Sequence, residues 1–212
     1  MDYAQMVKFV KGFFESHDPI ATGLESVYRY PFRRRFEHCF RCSIWAKRIA
    51  LAEGADVELT EISALFHDIG KSVSKPGQNH GQVGAKICDE YLASIGYDDE
   101  RRARVVSIVR YHSRLAQKKT ASLEGKIVSD ADLLDEVGAI TVLWDTMACA
   151  TRDDSPSYEK AYDRIAGGLT RLKTELPGRL HTPMAREIVA GRMKFVETFL
   201  KNLDYELGRS EI

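Results

Sequence analysis

The chain has 212 residues, enough for one substantial hydrophobic core and short for two. Hydrophobic residues make up 44% and charged residues 29%, the balance of an ordinary soluble globular protein. Its 31 Lys and Arg offset its 31 Asp and Glu, which leaves no global field to draw it to nucleic acid.

Local features narrow the range further. Met1-Asp2-Tyr3-Ala4-Gln5 lacks the basic start and apolar run of a signal peptide. No stretch approaches the roughly 20 apolar residues that span a bilayer, and the longest candidate, 139–150, is interrupted by Asp145. The four cysteines (Cys39, Cys42, Cys88 and Cys149) do not make a disulfide scaffold, so the expectation is a reducing, cytoplasmic setting without membrane or nucleic-acid partners. A basic stretch at Arg29, Arg33, Arg34 and Arg35 could hold a phosphate, but a solvated, salt-bridged surface is the favoured reading.

The first predicted helix spans about 4–16, with Met6, Phe9, Val10, Phe13 and Phe14 at helical spacing. The second runs from about Phe36 to Glu53, and Gly54 fits a left-handed C-terminal cap. Asp56 or Thr60 caps the third, which carries Ile62, Leu65, Phe66 and His67 before Gly70 stops it. Residues 72–79 are rich in turn formers and read as a loop. A fourth helix opens at His80 and ends at Gly96, and a fifth runs from Asp98 or Asp99 through Val105, Ile108 and Val109 to His112. Residues 124–149 read as two short helices meeting near Gly138, and 157–174 and 183–206 as amphipathic helices joined at Pro177-Gly178. Nothing alternates strictly, so the fold class is all-α, expected as a single domain over 1–212 with C-terminal helices from about 141 packed on a core of about 34–140.

Chemistry concentrates at His67-Asp68, in the run Ala64-Leu65-Phe66-His67-Asp68-Ile69-Gly70-Lys71. An imidazole beside a carboxylate suits a divalent transition metal, but one pair cannot close a coordination sphere. Further candidates stand at His38, His80, His112 and Asp132. His38 lies near the start of one predicted helix and His67-Asp68 near the end of the next, so an antiparallel hairpin would bring them together. His80 and His112 repeat that arrangement, and the small residues Gly81, Gly84 and Ala85 would let the backbone approach a crowded site. In Ser129-Asp130-Ala131-Asp132, the two carboxylates are roughly 200° apart on a helix and cannot both face one metal. Cys39-Phe40-Arg41-Cys42 has no second pair for structural zinc and no strand-to-helix turn for redox work, so buried helix packing is favoured. His17 and His181 have no partner spacing and read as surface residues.

The order His38, His67-Asp68, Asp132 resembles the HD superfamily of metal-dependent phosphohydrolases. Pro31 to His38, the turn at 53–56, residues 123–140 and the run from His181-Thr182-Pro183 to Leu200 look like bacterial HD-domain hydrolases, so the likeness spans roughly the whole chain. It implies an HD-type helical bundle and, from the usual Ala-Asp-x-hydrophobic pattern, selects Asp132, leaving Asp130 as a supporting residue or solvent-facing. His80 and His112 resemble the extra histidines of binuclear HD proteins, such as the diadenosine-tetraphosphate-hydrolysing group and the HD-GYP phosphodiesterases. That implies one or two divalent ions with Asp68 as the bridge; the alternative is a single ion, with these two histidines on substrate phosphate. Iron or manganese comes first, with cobalt, nickel, zinc and magnesium as alternatives. Lys71 completes His-Asp-Ile-Gly-Lys and could stabilise charge on phosphate oxygens, or simply face solvent at a helix end.

The expected activity is therefore hydrolysis of a phosphoester or phosphoanhydride, with a nucleotide as the substrate class the resemblance implies. Asp68 and Lys71 are the expected catalytic residues, and Arg41 and Arg114 are candidates to neutralise phosphate. A mixed-valent di-iron oxygenase with the same six ligands is the rival, and a silent ligand-binding module the third reading. Oligomeric state is left open, a homodimer being compatible.

Overall fold

Helices account for all regular structure in the computed structural model, which describes residues 2–17, 34–75, 77–113 and 122–209. Arg29, Arg33 and Arg114 lie outside the described residues. The elements are α1 (Tyr3–Ser16), α2 (Arg35–Glu53), α3 (Val57–Phe66), a 3-10 turn (Ile69–Ser72), α4 (His80–Ser94), α5 (Asp99–Tyr111), α6 (Leu123–Leu134), α7 (Ala139–Arg152), α8 (Tyr158–Glu175) and α9 (Pro183–Glu206). The fold is all-α, and no helix among the described residues is long and apolar enough to cross a membrane.

Local chemistry sets most helix boundaries. Asp2, Asp56, Asn79, Asp98, Ser157 and Thr182 each accept a hydrogen bond from a backbone N–H of the first turn they cap. Gly54 closes α2 at φ 70°, and Pro183 opens α9, where its missing N–H costs nothing.

The chain divides into two compact units, Met1–Asp132 and Leu133–Ile212. In the first, α2 packs on α3, α4 on α5 and on the 3-10 turn, α3 on α5, and α1 against α2 and α3. Met6, Leu59, Ile62, Leu65, Phe66, Ile69, Leu92 and Ile127 are fully buried. Each such side chain contributes about 1.5–3 kcal/mol of hydrophobic stabilisation. Phe9 joins α1 to this core, its ring stacked 3.9 Å from Tyr91 and 6.1 Å from Phe66. In the second unit, Val142, Ile165, Leu169, Val196 and Leu200 form a core between α7, α8 and α9. There Arg192 donates to the carbonyls of Leu134 and Val137, at and just past the end of α6.

Gly70 does not stop α3, as the sequence suggested. That helix ends at Phe66 with His67 as its cap, and Gly70 lies inside the 3-10 turn. Its role is clearance, because a Cβ at 70 would collide with the carbonyl of His80 and the backbone of Gly84. Gly81 answers a similar demand, since its Cβ would stand 2.6 Å from the carbonyl of Arg110. These contacts seat the start of α4 against the turn after His67 and the end of α5. His17 and His181 are half-buried rather than on the surface; the His17 ring stacks on Phe13 with centroids 4.3 Å apart.

Candidate metal centre

Six side chains converge in the first unit, each delivered by a helix end. His38 sits in the first turn of α2, and His67 caps α3. Asp68 follows at φ −103° and ψ 6°, in the sparsely used bridge region, and this bend swings its carboxylate back among the imidazoles. His80 is the first residue of α4, held there by the Asn79 cap, and His112 caps α5. Asp132 occupies the last turn of α6.

The carboxylate of Asp68 divides the cluster. Its Oδ2 lies 3.6 Å from Nε2 of both His38 and His67, and its Oδ1 lies 3.3 Å from Nε2 of His112 and 3.6 Å from Nε2 of His80. Within each pair the Nε2 atoms are 3.2 Å apart. Asp132 Oδ1 joins the first pair, 3.2 Å from His38 Nε2 and 3.7 Å from His67 Nε2. His38, His67, Asp68 and His112 form a buried floor. Arg35, His80, Lys71 and Asp132 form the rim, with side chains 20%, 26%, 29% and 36% exposed.

Backbone carbonyls fix the two central imidazoles. His67 Nδ1 lies 2.7 Å from the Ala64 carbonyl and His112 Nδ1 lies 2.8 Å from the Val109 carbonyl, contacts that require Nδ1 to carry the proton. In the neutral ring Nε2 then presents a lone pair, the usual support for a metal-binding histidine. Asp68 Oδ1 is buried without a well-formed hydrogen bond, 3.3 Å from His112 Nε2. A carboxylate oxygen and an imidazole nitrogen held this close away from water need a positive charge, a proton or a metal ion, beside them. The arrangement could hold a metal ion: imidazole and carboxylate donors suit a divalent transition metal, and His67, Asp68 and His112 bring their donor atoms within 4.8 Å of one another.

The electrostatics tie Asp68 tightly to the rings around it. Burial pushes the Asp68 carboxyl up, but His67, Lys71 and His112 outweigh it and hold it well below the ordinary carboxylate range. Burial also opposes charge on His67, yet the Asp68 carboxylate raises its pKa well above that of a free imidazole. Asp132 is likewise held low against burial by hydrogen bonding to His38 and His67. His80 moves the other way, pushed down to about 4 by burial, which keeps its ring neutral at physiological pH.

The other expected residues are placed as follows. Lys71 stands at the rim with its Nζ 2.7 Å from Asp68 Oδ2. Arg41 is half-buried on α2, three residues past His38. Asp130 is fully buried, which removes the solvent-facing alternative. Cys39 and Cys42 are buried with free thiols, and Cys42 Sγ lies 3.8 Å from the His38 ring nitrogens. Burial pushes that thiol's pKa up, and its Sγ lies close enough to donor atoms of His38, His67 and Asp132 for the four to hold an ion together.

Sequence reasoning placed Arg35 in a basic stretch favoured as solvated surface, whereas its Nη1 lies 3.2 Å from Asp68 Oδ2. The signal was present in its position three residues before His38, one turn away on the same helix face.

The HD domain family model matches residues 35–136, a span that contains all six converging side chains. YpgQ of Bacillus subtilis is 30% identical over 179 residues, covering 81% of this chain and 83% of YpgQ. A predicted HD superfamily hydrolase from an uncultured Thermotogales bacterium has a similar structure, with TM-score 0.66, 25% identity and coverage of 96% of this chain and 92% of that one. YpgQ crystallised in complex with ADP shares the fold at TM-score 0.63 and 22% identity over 96% and 93% of the two chains. With a relative of this identity aligned along most of both sequences, the chain belongs to the HD domain family.

Proposed function

We propose that this protein hydrolyses a phosphoester or phosphoanhydride bond of a nucleotide, using one or two divalent metal ions held by His38, His67, Asp68, His80, His112 and Asp132. The observation that carries this reading is the division of the Asp68 carboxylate, with Oδ2 toward His38 and His67 and an unpartnered Oδ1 toward His80 and His112. With this division Asp68 would help hold one ion beside His38, His67 and Asp132 and another beside His80 and His112, which favours two ions over one. A bound divalent ion lowers the pKa of water and offsets charge on phosphate oxygens.

The protein's own groups then have distinct tasks. His67 and His112, locked by the Ala64 and Val109 carbonyls, keep their Nε2 lone pairs aimed at the centre without rotating. The buried floor excludes bulk water and strengthens every charge interaction above it. Lys71 at the rim offers an ammonium to the phosphate oxygens as negative charge builds on them. A nucleoside phosphate is the substrate class because the relative YpgQ has been crystallised with ADP.

The test is phosphate or nucleotide release from a panel of nucleoside di- and triphosphates and dinucleoside polyphosphates, with manganese or iron supplied. Asp68→Ala should abolish release while leaving the helical circular dichroism intact. Release that persists in Asp68→Ala would overturn the reading. Turnover that requires dioxygen and releases no phosphate would replace it with the oxygenase chemistry.

A further inference from the structure

The sulfur of Cys42 stands inside the centre, although the hydrolytic chemistry does not call on it. Cys42 follows His38 by one turn on α2, so the two side chains leave the same face of the helix. The residue is 1% exposed, and its Sγ lies 3.8 Å from both ring nitrogens of His38. This sulfur and the donor atoms of His38, His67 and Asp132 all lie within 4.8 Å of one another. Two ligands of one tetrahedral ion stand about 3.4 Å apart when both bonds are about 2.1 Å long, and about 3.6 Å apart when one is a sulfur bond of about 2.3 Å. The observed spacings fall close to those values: 3.8 Å from sulfur to the His38 nitrogens, 3.2 Å between the His38 and His67 Nε2 atoms, and 3.2 and 3.7 Å from Asp132 Oδ1 to those two Nε2 atoms. On the other side of Asp68, His80 and His112 share Oδ1, a set of nitrogen and oxygen donors.

Resting on the reading of this cluster as a metal centre, we propose that Cys42 is a sulfur ligand to the ion on the His38 side, and that it makes the two halves of the centre differ in the metals they take. A thiolate favours softer ions such as iron, cobalt and zinc, whereas manganese and magnesium prefer oxygen. The His38 side is therefore the softer of the two. On coordination the S–H bond gives way to a metal–sulfur bond and the proton passes to solvent, as it does for any thiol that binds a divalent ion. Cys39, the other buried thiol of α2, hydrogen-bonds the His67 ring instead and does not belong to the group of four.

The experiment titrates chelator-stripped protein with cobalt(II) under nitrogen and follows the near-ultraviolet sulfur-to-cobalt charge-transfer band in wild type, Cys42→Ser and Cys39→Ser. Zinc and manganese affinities of each are measured separately by chelator competition. Wild type should develop the band, Cys42→Ser should bind cobalt without it, and Cys39→Ser should keep it. Zinc binding to Cys42→Ser should weaken by about tenfold or more, while manganese binding changes by less than about twofold. Cobalt taken up by wild type without the band would overturn the assignment, whether or not the variants fold. So would a band that survives in Cys42→Ser or is lost from a folded Cys39→Ser. Equal losses of zinc and manganese affinity in Cys42→Ser would also overturn it, since the thiol would then only pack against His38. If wild type takes up neither cobalt, zinc nor manganese, the metal-centre reading falls and takes this assignment with it.

Discussion

Gly70 and Gly84 meet backbone to backbone: a Cβ on Gly84 would stand 3.1 Å from the Gly70 nitrogen, and a Cβ on Gly70 would collide with the Gly84 backbone. This contact sets how closely α4, and with it His80, approaches the turn that carries Asp68. Gly70→Ala should therefore cost about 1–3 kcal/mol through overpacking. It should also displace His80 and lower metal content, read by thermal melting beside elemental analysis. A variant that melts like wild type with full metal would show that the backbone has room to move.

Metal stoichiometry separates the two halves of the cluster. His80→Ala or His112→Ala should reduce manganese from about two ions per chain to about one, because each removes a donor on the Oδ1 side only. Asp68→Ala should reduce it further, since both sides lose their shared oxygen donor. Retention of about two ions in both histidine variants would assign these residues to substrate rather than metal.

Acid stability should respond to Asp56, which caps α3 and accepts from Arg101 Nη2 at 2.8 Å. Burial raises its pKa, but the hydrogen bonds from Arg101 and the Leu59 N–H outweigh it and leave the value below the ordinary 3.8. A depressed acid stabilises the fold above its unfolded-state pKa, and that contribution fades as pH falls through the folded-state value. Asp56→Ala should thus cost about 1–2 kcal/mol near neutral pH. The gap to wild type should narrow below pH 3.8, measured by urea denaturation across the acid range.

Arg192 offers a test in the second unit. It donates to the Leu134 and Val137 carbonyls at the end of α6, and its side chain would lie 3.2 Å from a Cβ on Gly138, where φ is 108°. Arg192→Ala should destabilise by about 1–3 kcal/mol, the cost of leaving carbonyls without their charged donor. Arg192→Lys should recover part of it in denaturant titrations.

Much of this architecture could be read from the chain because its signals are local. The caps at Asp56 and Asp98, the left-handed turn at Gly54, and the placing of histidines at helix ends are all short-range patterns. What escaped depended on tertiary approach. Gly70 looks like a helix stop in sequence, and only the arrival of α4 shows why no side chain fits there. Arg35 was absorbed into a run of arginines, because composition cannot distinguish one turned toward Asp68 from its exposed neighbour Arg34. The burial of Asp130 likewise depends on what packs against α6, which the helical angle between Asp130 and Asp132 does not reveal.

No contiguous fragment of this chain carries the centre. Its donors come from α2, the turn after α3, α4, α5 and α6, no segment supplying more than the adjacent pair His67-Asp68. Helix ends fray first in an isolated peptide, so the unfolded chain offers an ion scattered donors. An ion bound there would act as a clasp across five segments, and its affinity would belong to the finished fold. A hundredfold excess of ion over its dissociation constant adds about 2.7 kcal/mol to stability. The lifetime of the folded protein in a cell would accordingly track the supply of its metal, even where no substrate is present.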